Sequence, residues 1–117
     1  MTVEEFAKLM ETHALHGTVK NLISNFTSPP GRRPRKEIID VSTFFLKLST
    51  PEKEIFETAI FESVRQSIFS VFSIIDGATI VDPVVQKFLI SAKFDEKKSE
   101  VINGDEYVDI HDYFAPS

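Results

Sequence analysis

Cysteine is absent from the chain, which removes any disulfide framework, any thiolate metal site and any cysteine nucleophile. Glycine is scarce, and Gly17, Gly31, Gly77 and Gly104 stand far apart, so there is no glycine-rich loop to cradle a phosphate. Long hydrophobic runs are missing as well. The longest nearly apolar stretch, Ile68 to Ile75, is far too short to span a bilayer. The first residues carry Glu4 and Glu5 where a signal peptide would be basic and then apolar. A cytoplasmic protein with no membrane association is the expectation.

An excess of positive charge is also lacking. The net charge is −5, and it is unevenly spread. Residues 1–40 hold six Lys/Arg and five Asp/Glu, residues 41–75 three and four, and residues 76–117 four and nine. The acidic C-terminal end repels phosphates, so a nucleic-acid partner is disfavoured.

What is present describes an ordinary globular chain. At 117 residues a single domain, 1–117, is expected. Area scaling from the mass of 13.3 kDa gives roughly 6,500 Å² of folded surface against roughly 19,000 Å² unfolded. Eleven phenylalanines and no tryptophan predict a large dry aromatic interior, because phenylalanine has no polar tip to satisfy.

The expected fold class is α+β. It comprises three to four N-terminal helices, including one long central helix at about 51–75, followed by a small antiparallel β-meander of three to four strands. Thr2-Val3-Glu4-Glu5 reads as a capping box opening the first helix. Apolar spacing through Phe6, Leu9, Met10, Val19, Leu22, Ile23 and Phe26 makes residues 3–27 either one helix interrupted at Gly17 or two in succession. Residues 27–34, with Pro29, Pro30 and Pro34, cannot continue it and form a loop. Ile38, Val41, Phe45 and Leu48 then recur at helical spacing. Ser49-Thr50-Pro51-Glu52 supplies a cap, a tolerated proline and an acid at the positive pole of the long helix, which Asp76-Gly77 ends. Its second half, Ile68–Ile75, is apolar on nearly every side and calls for burial all round. Phe88, Ile90, Ala92 and Phe94 alternate with Lys87, Leu89, Ser91 and Lys93, as a strand over 86–94 would, with Phe88, Ile90 and Phe94 turned toward the long helix. Asp95-Glu96-Lys97-Lys98 reads as a polar turn. Asn103-Gly104, between Val101-Ile102 and Tyr107-Val108, suits a tight hairpin turn, and Ala78–Val81 is a candidate fourth strand.

No nucleophilic triad is legible, since the glycine context of a nucleophile elbow is absent. His13 and His16 would share a helix face and could hold a metal with a third ligand from elsewhere, but the favoured reading is a polar stretch at a helix end, where imidazole suits the dipole and the last carbonyls. His111-Asp112 has the look of a metal-dependent phosphohydrolase pair, but those enzymes need further His and Asp ligands in helical contexts, and a surface pair is the favoured reading. Neither region supplies three ligands, so no metal, no cofactor and no catalytic residue is expected. The carboxylates Asp105, Glu106, Asp109 and Asp112 form either a solvated acidic face or a partner-binding surface. Arg32, Arg33, Arg35 and Lys36 form the one dense cation run, a solvated loop or a recognition site for an acidic partner or phosphate.

These readings favour a non-catalytic interaction or regulatory protein, of the type common among small bacterial accessory and immunity-like proteins, that binds a protein partner or itself. Arg32, Arg33, Arg35, Lys36, Asp105, Glu106, Asp109 and Asp112 are its candidate partner-binding residues. A homodimer is expected, because Phe61, Phe69 and Ile74 point away from the Phe56, Ile60, Val64 and Phe72 stripe of the long helix and call for cover; the competing reading is that the N-terminal helices wrap that face within one chain. The alternative is a small hydrolase or metal-binding protein using His13/His16 or His111 with nearby carboxylates; a Phe-lined pocket for an apolar ligand is a third.

Overall fold

The computed structural model describes residues 1–105 and 107–116. The chain first runs without interruption through α1 (Val3–Met10), a π-helical stretch (Glu11–His16) and α2 (Gly17–Thr27). Thr2 caps it, its hydroxyl accepting from the Glu5 N–H at 3.1 Å. Gly17 keeps helical dihedrals, so the interruption expected there is instead a change of winding one turn earlier. α3 (Lys36–Leu46) follows the proline-rich loop, and its stripe buries Phe45 and half-buries Ile38, Val41 and the trailing Leu48.

The long helix α4 (Thr50–Ile75) opens with a reciprocal capping box: Ser49 Oγ accepts from the Glu52 N–H, and Glu52 Oε1 accepts from the Ser49 N–H at 2.8 Å. At about 1.5 Å per residue it is about 39 Å long, and it organises two separate apolar centres. Toward its N-terminal half, Phe56 gathers Phe26 from α2 and Phe44 and Phe45 from α3, with ring centroids 5.4 to 6.2 Å away. Toward its C-terminal half, Phe72 meets Phe6 edge-on and stacks on Phe114, both at 5.8 Å. The main core forms around it from Val3, Ala7, Leu15, Ile102, Ile110 and Phe114. Burial all round the 68–75 segment is not reached, since Val71 remains 53% exposed.

Gly77 takes a φ of +83°, and a Cβ there would lie 2.0 Å from the Gln86 carbonyl oxygen, so only glycine lets the chain turn off α4 this tightly. The sheet that follows differs from the expected meander. Among the described residues it has two strands, β1 (Ser91–Lys93) and β2 (Ser99–Val101), paired antiparallel with Ala92 opposite Glu100. Their connection is the polar turn: Asp95 Oδ1 accepts from the N–H groups of Lys97 and Lys98. Ala78–Val81 forms no strand. Asn103-Gly104 makes no hairpin, because Asn103 is fully buried and uses its side chain as a length of strand. Its Oδ1 accepts from the Ile90 N–H at 2.8 Å and its Nδ2 donates to the Phe88 carbonyl at 2.9 Å. The alternating face of 86–94 is only partly used: Ile90 and Ala92 reach the core, whereas Phe88 and Phe94 stay exposed. A short 3₁₀ turn, His111–Phe114, follows near the C-terminal end. Arg65 of α4 pins it, donating to the Phe114 carbonyl at 2.7 Å while its other nitrogens hold Glu62.

The molecule is long. It measures 49 × 34 × 26 Å, with a radius of gyration of 18.0 Å, where a compact chain of this length has about 13 Å.

Candidate functional site

The two charged runs lie at opposite ends of α4. Arg32, Arg33 and Arg35 are exposed in the loop joining α2 to α3, the elements that pack on the N-terminal half of α4. Among the described residues none of the three forms an ion pair, while Lys36, next to them, holds Asp40 at 2.7 Å, a contact that raises its pKa. At the other end, Asp105 and Asp112 are exposed and Asp109 half-buried. Asp105 spends one oxygen on the Tyr107 N–H. Glu106, grouped with them from sequence, lies outside the described residues.

Between these ends the apolar surface is incompletely covered. Phe61, Phe69 and Ile74 are half-buried: the Phe61 ring lies beside His16 at 5.7 Å, and Phe69 meets His111 edge-on at 5.7 Å. The chain thus takes up part of the face that called for a partner. Larger apolar exposure lies elsewhere. Ile39, Phe44, Leu46 and Ile55 are open near the α3 end, and Ile80, Val81, Val84 and Leu89 are open along the irregular segment after α4. A shallow apolar groove of about 230 Å³ between Met10, Ala14, Ile68, Val71 and Phe72 adds to it. In sequence Ile39, Phe44, Leu46 and Ile55 sit in helices and Ile80 and Val81 in an expected strand, whereas Leu89 falls on the outward face of 86–94 and Val84 between the two expected strands.

The histidines separate. His13 and His16 are exposed on the π-helical stretch, whose wider winding turns residues three apart away from each other. His16 comes no nearer to Glu11 than 3.7 Å. It lines a cleft of about 330 Å³ with Glu11, Glu62, Arg65 and Tyr113, but Arg65 and Glu62 are already engaged with each other. His111 is more enclosed. Its backbone N–H and its Nδ1 both meet Asp76 Oδ2, at 2.8 and 2.9 Å, and its Nε2 stands 3.4 Å from Asp112 Oδ1. Asp109 joins them, so that Asp76, Asp109 and His111 each bring a donor atom within 4.8 Å of the others. Asp76 is the member the sequence did not single out. Next to Gly77 it reads as the end of a helix, and nothing in a linear pattern links it to residue 111.

No family model matches the chain, and comparison with curated proteins and with solved structures likewise finds no match. No helix among the described residues is long and apolar enough to cross a membrane.

Proposed function

We propose that this chain is a non-catalytic interaction protein that works as an antiparallel two-fold dimer. The observation that carries the reading is surface. The chain exposes 8479 Å², about 2,000 Å² more than the roughly 6,500 Å² expected of a compact monomer of its mass. That excess is of the order each partner buries in a large, stable interface, and large apolar side chains such as Phe44, Ile55, Ile80 and Val84 stand exposed on the chain, as monomers seldom leave them in contiguous patches.

The charge layout favours a second copy over an unrelated occupant. A two-fold axis across α4 exchanges its ends, so the Arg32, Arg33 and Arg35 loop of each chain comes beside the acidic 105–112 segment of the other. The same exchange lays the bare α3 face, with Ile39, Phe44 and Leu46, toward the partner's Ile80–Leu89 segment. α4 contributes Ile55, Val71 and the uncovered parts of Phe61, Phe69 and Ile74. Opposed charge at both ends sets orientation, and apolar burial supplies affinity.

Sedimentation velocity of the wild type beside an Arg32→Glu/Arg33→Glu/Arg35→Glu variant tests this arrangement. The three arginines are exposed, so the variant keeps its fold. It is expected to dissociate at concentrations roughly tenfold higher than the wild type in low salt, with the difference shrinking as salt screens the pairing. Identical dissociation of the two proteins at low salt would count against it.

A further inference from the structure

The C-terminal end of a helix is the negative pole of its dipole and favours a lysine, arginine or histidine nearby. α4 has no basic residue in its last turn and closes on Asp76 instead. This is no solvated acid, for its side chain has no exposed surface. Oδ2 accepts from the His111 backbone N–H and lies against its Nδ1, but Oδ1 is buried with no hydrogen-bond partner among the described residues. A carboxylate oxygen removed from water, given no donor and set at a negative helix pole is a point where positive charge is missing.

The neighbours deepen the deficit. Asp109 converges on the same point, and Asp112 stands against the far side of the imidazole. Three carboxylates therefore surround one histidine.

We propose that Asp76, Asp109 and His111 bind a divalent first-row transition-metal ion, for which zinc is the probe. One imidazole nitrogen with two carboxylates suits such ions, whereas magnesium and calcium favour oxygen donors alone. One ligand atom from each of the three residues lies within 4.8 Å of the others, close enough to converge on one ion, whose bonds of about 2.1 Å set tetrahedral donors about 3.4 Å apart. Asp112 then takes the role carboxylates have behind metal-bound histidines, holding the ring by its other nitrogen. Three protein donors leave positions for water, so the ion is exchangeable. Its structural effect is to tie the C-terminal segment at 109–111 to the end of α4.

The test is zinc titration of chelator-stripped protein by calorimetry and thermal melting, with magnesium and calcium in parallel. One equivalent of zinc is expected to bind and raise the melting temperature by several degrees, with no comparable effect of the other two ions. Asp109→Asn, at a half-buried position outside the core, is expected to bind roughly tenfold more weakly or worse, with an unchanged helical spectrum. His13→Ala/His16→Ala is expected to bind as the wild type does. Should the Asp109 variant fail to fold, zinc added to the wild type must shift the ring resonances of His111 and leave those of His13 and His16 in place. The site is disproved by absence of saturable zinc binding, by equal binding of magnesium or calcium, by Asp109→Asn binding at wild-type strength, or by binding that disappears with His13 and His16.

Discussion

Asn103 and Ile90 are joined by a side chain acting as backbone: Asn103 Oδ1 accepts the Ile90 N–H at 2.8 Å, directly after the Ile102 N–H has donated to the Ile90 carbonyl at 2.7 Å. The pairing of β1 with β2 is thereby prolonged past the point where the main chain turns away. Asn103→Ala leaves the Ile90 N–H and the Phe88 carbonyl without these partners in a part-buried setting. A loss of about 2–4 kcal/mol in denaturant melts is expected. Gly104→Ala is expected to cost about 1 kcal/mol or less, because Gly104 does not adopt positive φ and a Cβ would meet only the Val101 side chain, Cγ1 at 3.4 Å and Cβ at 3.9 Å. The reverse ranking would restore the hairpin turn at Asn103-Gly104.

The two phenylalanines expected to face the same core are predicted to behave differently. Phe72 is 7% exposed, between Phe6 and Phe114, and Phe94 is 52% exposed beneath the Lys98 ammonium. Phe72→Ala should cost about 3–5 kcal/mol through the cavity it leaves. Phe94→Ala should cost about 1 kcal/mol or less, the scale of an exposed cation–π contact. Chemical denaturation of both variants checks the ranking.

At the start of α4, the Ser49 backbone N–H, with the Ser49 hydroxyl assisting, holds the Glu52 carboxyl below its ordinary value of 4.5. The folded pKa is the lower one, so the capping contribution is present above the unfolded value and is lost as pH falls through the folded value. Carbon-detected titration of Glu52 should give a midpoint below that of the same residue in the urea-unfolded chain. Ser49→Ala, which removes the hydroxyl cap, should raise that midpoint and cost about 1 kcal/mol at neutral pH.

Local signals carried most of the helical half. Ser49, Pro51 and Glu52 mark the start of α4 and Asp76-Gly77 its end, because caps and terminators act over a few residues and are written beside one another. The C-terminal third was less legible for a physical reason. Asparagine suits a tight turn and equally suits a buried strand mimic, and only the position of Ile90 and Phe88 decides between them. Strand periodicity over 86–94 marked the face that Ile90 and Ala92 bury, but could not tell that Phe88 and Phe94 would find no cover. His111 and Asp109 were visible as chemistry-bearing residues. Asp76 was not, since its importance comes from a contact made across 35 residues. The surface of 8479 Å² was likewise out of reach, because scaling from mass presumes a compact monomer.

The reading of this chain as a self-assembling interaction protein rests on that uncovered surface, and its mass in solution addresses it most directly. Light scattering across a concentration series reaching tens of micromolar should give twice the 13.3 kDa of one chain, falling toward the monomer only on dilution. A mass that stays at 13.3 kDa throughout would contradict the account.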